Sequence, residues 1–211
     1  MIFSHESPEY IEQRPQKQNG AYWYSFEIVR NIIPNVKTSR HWVTINKQGN
    51  CWDHSIVFIH NNEYPELYEW LSDYDDLVLV CGFPSTVHKV SHLGKAIYLP
   101  LSVDTQYIEQ FKAEKDKDIC FFGRQEKRMF IDLGRRVTTI ENLPRDKALP
   151  EVARYQKAFA VGRCAIEAKI LGCEVLPYDE RYPNPNVWEI LDNKDAAKLL
   201  QMELDRIDNQ S

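Results

Sequence analysis

The chain has 211 residues, of which 43% are hydrophobic and 27% are charged, proportions that are typical of a folded globular protein. Its 26 basic and 31 acidic residues give a net charge of −5, which argues against binding to nucleic acid or an anionic membrane through bulk positive charge. It has no signal-like N-terminus and no apolar run of about 18 residues, so we expect a cytoplasmic protein without a transmembrane segment. The five scattered cysteines are typical of reduced thiols, and no metal site is predicted.

Short apolar runs rich in β-branched and aromatic residues predict the strands. They cover residues 1–3, 42–45, 56–59, 77–81, 96–99, 119–122, 136–140, 158–161 and 174–177. Helix-like stretches between the strands lie at residues 21–33, 64–72, 105–112, 126–133, 147–157, 164–171 and 194–207. Strands that alternate with helices predict βαβ units and therefore an α/β fold with parallel sheets.

A polar stretch at residues 100–118 separates the fifth predicted strand from the sixth. Such a stretch between two apolar segments is typical of a linker. It predicts two small Rossmann-like lobes, an N-terminal lobe of residues 1–104 and a C-terminal lobe of residues 105–211. The alternative is one continuous sheet in which this stretch is a solvated loop.

The first candidate binding segment follows the strand at 119–122. Gly123 and Arg124 come at the end of this strand, and Lys127 and Arg128 lie in the helical stretch that follows. A glycine at a strand-to-helix turn lets the backbone approach a ligand closely, and a helix N-terminus favours an anion. Arg124 can bind a phosphate through two parallel hydrogen bonds, and Lys127 or Arg128 adds a second positive charge. A surface salt bridge is the alternative role for Arg124.

The second candidate segment follows the strand at 158–161. Gly162 and Arg163 precede a short helix that contains Glu167, and Gly172 ends that helix. In open α/β sheets, ligands bind at the carboxyl ends of the strands, which is where this helix begins. The Glu167 carboxylate can accept hydrogen bonds from both hydroxyls of a ribose. Its alternative role is that of an exposed glutamate favoured by the helix dipole.

Together these segments resemble the nucleotide-binding lobe of retaining GT-B glycosyltransferases. The resemblance rests on the Gly-Arg pair after a strand and on the later run from Glu167 to Pro177, which contains Glu-Ala and Leu-Gly-Cys-Glu-Val-Leu-Pro. It implies that Arg124 and Lys127 face the diphosphate of a nucleotide sugar, that Gly162 and Arg163 lie beside it, and that Glu167 holds the ribose.

The N-terminal half follows the same family pattern in order. The run Ile97-Tyr-Leu-Pro-Leu-Ser-Val-Asp104 resembles the crossover between the two lobes, and Gly20 resembles the glycine loop that approaches the donor phosphate. His60 lies where many members place a histidine near the transferred sugar. The resemblance spans roughly residues 17–178, and it departs from the family at Phe159, where a glutamate that contacts the donor sugar is expected.

The resemblance implies a glycosyltransferase that moves a sugar from a UDP- or GDP-sugar to a glycan or another hydroxyl compound, with His60, Arg124 and Lys127 as catalytic residues. No cofactor beyond the donor is implied, because stabilisation of the departing diphosphate needs only positive charge. Two alternatives stay open. One is a non-catalytic nucleotide- or sugar-binding module, and the other is a transferase that acts on modified DNA bases, which the acidic net charge disfavours.

Overall fold

The computed structural model describes residues 2–4, 27–45, 51–59, 65–123, 137–141, 143–176, 178 and 189–210. These residues form an α/β fold in which the strands of all three sheets are parallel, as the alternation of strands and helices predicts. They divide into two compact units. The first holds the described residues up to 100 and those from 193 to 210, and the second holds those from 101 to 192.

The strands are β1 (Ile2–Ser4), β2 (His41–Ile45), β3 (Ser55–Ile59), β4 (Val78–Cys81), β5 (Lys95–Tyr98), β6 (Ser102–Val103), β7 (Lys117–Phe122), β8 (Thr138–Ile140), β9 (Tyr155–Phe159), β10 (Glu174–Leu176) and β11 (Leu191–Asp192). The α-helices are α1 (Pro84–Val90), α2 (Thr105–Glu109), α3 (Arg145–Val152), α4 (Arg163–Ile170) and α5 (Asn193–Asp208). A π-helix covers Ile28–Ile32, and 3₁₀ helices cover Ile33–Asn35 and Pro65–Asp73.

The first unit is built on a sheet whose strands β1 to β5 lie side by side in chain order. Every side chain of β3 and β4 is buried, as expected for parallel strands that are covered on both faces. One side of the sheet packs against Tyr68 and Leu71 of the 3₁₀ helix Pro65–Asp73 and against Val90 of α1. These contacts form the core of the first unit.

Helix α5 completes the first unit, although the sequence assigns it to a lobe of residues 105–211. Its residues Ala196, Leu200 and Leu204 recur four apart, and all three are buried. The helix packs against the π-helix Ile28–Ile32, and the side-chain amide of Asn193 donates a hydrogen bond of 3.2 Å to the buried Glu27 carboxylate. The chain therefore returns to the first unit after residue 192.

The second unit contains a four-stranded sheet in the order β10-β9-β7-β8 and a small sheet in which β6 pairs with β11. Helix α3 contacts β8 and β9, and helix α4 contacts β9 and β10. Phe121, Leu149 and Ala158 are fully buried between these layers. This sheet positions the candidate site.

Each of the nine predicted strands has a counterpart in the structure, whereas β6, β11 and helix α1 were not predicted. The helix predicted at 147–157 is wrong in its second half, because α3 ends at Val152 and β9 begins at Tyr155. Pairing of Tyr155 with Lys117 of β7 overrides the local helical pattern there. The helix predicted at 126–133 lies outside the described residues.

The five cysteines are free thiols, and all except Cys164 are buried. Burial raises the pKa of Cys81 and of Cys120 to about 12, so both remain protonated at neutral pH. Among the helices that the structure describes, none is long and apolar enough to cross a membrane.

Candidate functional site

The sheet of the second unit reverses its order between β7 and β9. The chain leaves β7 toward β8 on one side, and it leaves β9 toward β10 on the other side. In parallel α/β sheets, such a reversal separates the two loops at the carboxyl ends of the strands and opens a crevice in which ligands bind. The strands of the first unit that the structure describes follow chain order, so this reversal distinguishes the second unit.

Gly123 follows β7 and lies on one side of the reversal, at the carboxyl edge of the sheet. Its backbone N–H donates a hydrogen bond of 3.3 Å to the carbonyl oxygen of Ile140, which ends β8. A Cβ at position 123 would lie 3.3 Å from Cζ of Phe121, so the glycine packs closely against that ring. The pairing of β7 with β8 therefore extends to Gly123.

Gly162 lies on the other side of the reversal, at the N-terminus of α4. Its backbone has φ +57° and ψ −133°, the mirror image of the β region, which glycine enters far more readily than residues with a Cβ. The carbonyl oxygen of Gly162 accepts the first hydrogen bonds of the helix, from Ala165 at 3.0 Å and Ile166 at 3.2 Å. Glycine has no side chain with which to cap the helix, so the first turn presents backbone amides and positive dipole at the crevice.

We predict that Gly162→Ala lowers the free energy of unfolding by about 1–3 kcal/mol, the usual cost of a strained backbone conformation. A Cβ at this position would meet no atom within 4 Å, so steric overlap contributes nothing and the loss is backbone strain alone. Urea denaturation measures the change. Unchanged stability would contradict the turn geometry described for Gly162.

Two arginines and one glutamate form a buried charged cluster at the same edge of the sheet. Arg163 is the first residue of α4, Glu167 lies one turn later, and Arg145 is the first residue of α3. The Arg163 Nε donates a hydrogen bond of 3.0 Å to Glu167 Oε1, and Arg145 Nη2 lies 2.7 Å from the same oxygen. The three side chains are 6–7% exposed, so Glu167 is not the exposed glutamate of the alternative interpretation.

The cluster joins two guanidinium groups to one carboxylate oxygen. Arg145 and Arg163 contribute two positive charges and Glu167 one negative charge, and charges interact more strongly in a buried setting than at the surface. The guanidinium carbon of Arg145 also lies 6.0 Å from the centre of the Tyr107 ring, within the range of a cation–π contact. Burial raises the pKa of Tyr107, so its hydroxyl stays neutral. The cluster thus places one guanidinium group at the N-terminus of α3 and one at the N-terminus of α4.

Aromatic rings line the carboxyl ends of the central strands. The Tyr178 ring, just beyond β10, makes edge contacts with Phe121 at 5.8 Å and with Phe159 at 6.4 Å between ring centres. Phe159 stands where the family pattern has a glutamate, and here it packs against aromatic neighbours. This position supplies an apolar surface in place of a hydrogen-bonding carboxylate.

The structure brings together Gly123, Gly162, Arg163 and Glu167 at one edge of one sheet. Gly20, His60, Arg124 and Lys127 lie outside the described residues. Arg145 was not predicted as a site residue, although its position directly after Pro144 indicates the start of a helix. Proline is common at helix starts, and helices that follow a parallel strand start at the carboxyl edge.

Comparison of the chain with protein-family models, with curated proteins and with solved structures found no match. The described residues contain no group of histidine, cysteine, aspartate and glutamate side chains that could hold a metal ion.

Proposed function

We propose that the second unit binds a nucleotide sugar at the reversal between β7 and β9, and that the protein transfers the sugar to a hydroxyl acceptor. The observation that supports this proposal is that Gly123 and Gly162 lie at the carboxyl edge of the sheet, on either side of the reversal. The α4 amides and the positive charge of Arg145 and Arg163 favour a phosphate group there. The sugar and the transfer reaction are taken from the resemblance to GT-B glycosyltransferases, which have two lobes.

In this proposal the diphosphate lies against the first turn of α4, and Arg124 and Lys127 bind it, as the resemblance implies. Transfer breaks the bond between the sugar and the diphosphate, so negative charge grows on the departing phosphate. Positive groups that are already in place stabilise this charge without rearranging during the reaction. The resemblance gives His60 the role of contacting the transferred sugar. Arg163 and Arg145 are positioned by Glu167 rather than by the ligand.

We predict that Arg124→Ala weakens the binding of UDP or GDP by about 1.5–3 kcal/mol, the range for hydrogen bonds to charged groups. Calorimetric titration of each nucleotide into the folded variant measures the change. Arg154→Ala is the matched control, because Arg154 precedes β9 at the opposite edge of the sheet and pairs with Asp116. Equal affinity of the Arg124 variant and the wild-type protein would exclude the phosphate contact.

A non-catalytic nucleotide-binding module is the second candidate, and Phe159 is the observation that favours it. The ring at this position cannot donate or accept the hydrogen bonds that a glutamate would make to the donor sugar. Release of free sugar from a UDP- or GDP-sugar separates the two candidates. An enzyme releases sugar or transfers it to an added acceptor, whereas a binding module returns the donor intact after saturating binding.

A further inference from the structure

Three loops at the amino edge of the first sheet bring together a serine, a histidine and an aspartate. Ser39 precedes β2, His54 precedes β3 and Asp76 precedes β4, and these three strands are neighbours in the parallel sheet. Backbone hydrogen bonds tie the loops together, since His41 N–H donates to His54 at 3.1 Å and His54 N–H donates to Asp75 at 2.9 Å. The arrangement lies in the first unit and is independent of the nucleotide-sugar proposal.

The side chains are connected in the order that nucleophilic catalysis requires. Asp76 Oδ2 lies 2.7 Å from His54 Nδ1, and His54 Nε2 lies 3.3 Å from Ser39 Oγ. A proton on Nδ1 that is held by the Asp76 carboxylate leaves the lone pair of Nε2 facing the serine hydroxyl. The contact between serine and histidine is often this long in ligand-free proteins.

Arg40 holds the carboxylate that contacts His54. Arg40 donates to Asp76 Oδ2 at 3.1 Å and to Asp208 Oδ1 at 2.9 Å, so two carboxylates share one guanidinium. Arg40, Asp76 and Asp208 therefore carry a net charge of −1, which an imidazolium at His54 would balance. Burial raises the pKa of Asp76, but the hydrogen bonds from His54 and Arg40 lower it by more. The pKa of Asp76 therefore lies below its ordinary value.

The backbone of two of the three residues is in an unusual conformation. His54 has φ +56° and Asp76 has φ +51°, both in the left-handed region that residues with a Cβ seldom occupy. Arg40 holds the second of these turns, because its Nη1 also donates a hydrogen bond of 2.9 Å to the Asp76 carbonyl oxygen. Backbone strain of this kind clusters at functional sites.

We propose that Ser39, His54 and Asp76 form a second, esterolytic site that cleaves carboxylic esters with good leaving groups. Ser39 Oγ attacks the ester carbonyl carbon while His54 Nε2 takes the hydroxyl proton. The imidazolium then gives that proton to the leaving oxygen as the C–O bond breaks, and the acyl group stays on Ser39. Water, deprotonated by His54, releases the acid and restores the serine. The net reaction consumes one ester and one water and yields one acid and one alcohol.

The exposure of the site limits its substrates. The side chains of His54 and Asp76 are 46% and 43% exposed, and Ser39 is exposed as well. Water screens the charge that develops on a carbonyl oxygen at such a surface, so little stabilisation is available for poor leaving groups. We therefore expect the site to cleave aryl esters, which have a good leaving group, and not peptide bonds.

The test uses the full chain, a fluorophosphonate probe and p-nitrophenyl acetate. We expect the probe to label Ser39, as located by peptide mass, and Ser39→Ala to lose both labelling and ester hydrolysis. Ser72→Ala is the matched control, because Ser72 is an exposed serine whose hydroxyl donates to the carbonyl of Glu69 instead of contacting a histidine. His54→Asn removes the base while suiting the left-handed backbone, and it should slow ester hydrolysis about 100-fold or more.

Absence of labelling at Ser39, under conditions that label an authentic serine esterase, would overturn the proposal. Equal labelling or hydrolysis in Ser39→Ala and Ser72→Ala would overturn it as well. Ser39 is exposed, so its alanine variant is expected to fold, and circular dichroism verifies this before either measurement.

Discussion

Replacing Glu167 with glutamine is expected to lower the free energy of unfolding by about 3–5 kcal/mol, the usual cost of breaking a buried ion pair from one side. Glu167 Oε1 is the acceptor for Arg163 and lies 2.7 Å from Arg145, and all three side chains are buried. Glutamine keeps the shape but removes the negative charge, so two guanidinium groups would remain in a low-dielectric setting without it. Urea denaturation of the purified variant measures the loss.

Two further variants make this result specific to the charge cluster. Glu174→Gln removes an exposed carboxylate whose partner, Lys157, lies 3.5 Å away, and it should cost less than about 1 kcal/mol. Arg145→Met combined with Glu167→Gln should be more stable than Glu167→Gln alone, because one of the two buried positive charges has gone. Equal losses for the Glu167 and Glu174 variants would refute the cluster as described.

The Glu167 variant also bears on ligand binding. If Glu167 holds a ribose, the resemblance implies that wild-type protein binds UDP more tightly than 2′-deoxy-UDP and that the variant loses this difference. If Glu167 only positions the two arginines, the variant weakens both nucleotides equally. Calorimetry with the two ligands separates these roles. It is run without urea, at a temperature at which the variant is folded.

Phe121→Ala is expected to lower the free energy of unfolding by about 3–5 kcal/mol, as is usual when a buried aromatic side chain is truncated. Phe121 is fully buried in β7, contacts the Tyr178 ring and packs against Gly123. Its removal leaves a cavity directly below the carboxyl edge of the sheet, so nucleotide affinity should fall together with stability.

The matched control is Phe111→Ala. Phe111 is only half-buried and makes an edge contact with the Tyr107 ring at 5.2 Å. Thermal or urea unfolding should show a markedly smaller loss for this variant than for Phe121→Ala. Comparable losses would mean that Phe121 is not part of a close-packed core.

The strands were predictable because their hydrophobic patterns are local. Apart from Ser55, the residues of β3 and β4 are apolar, and a run of this kind indicates a strand covered on both faces. Gly123 and Gly162 could be singled out for a related reason, since each follows an apolar run that the sequence predicts as a strand. The order of strands within a sheet is not a local property, so the reversal between β7 and β9 could be found only in the structure.

Residues that meet through space were beyond the sequence analysis. Arg145 reaches Glu167 from the preceding helix, and no motif links the two positions. Ser39, His54 and Asp76 lie 15 and 22 residues apart and join only because three parallel strands begin at one edge. Strands β6 and β11 have two residues each, too few for any periodicity to reveal them.

The packing of α5 on the π-helix Ile28–Ile32 has a consequence for biosynthesis. Ribosomes make the chain from its N-terminus, so the sheet of the first unit emerges early, while the helix that covers Ile28 and Ile32 emerges only after the second unit. Strands β6 and β11, which pair with each other, bracket a segment that is complete before α5 is made. On the growing chain, we therefore expect the second unit to reach its native packing before the first unit. Until α5 is made, Ile28 and Ile32 of the first unit lack the helix that packs against them.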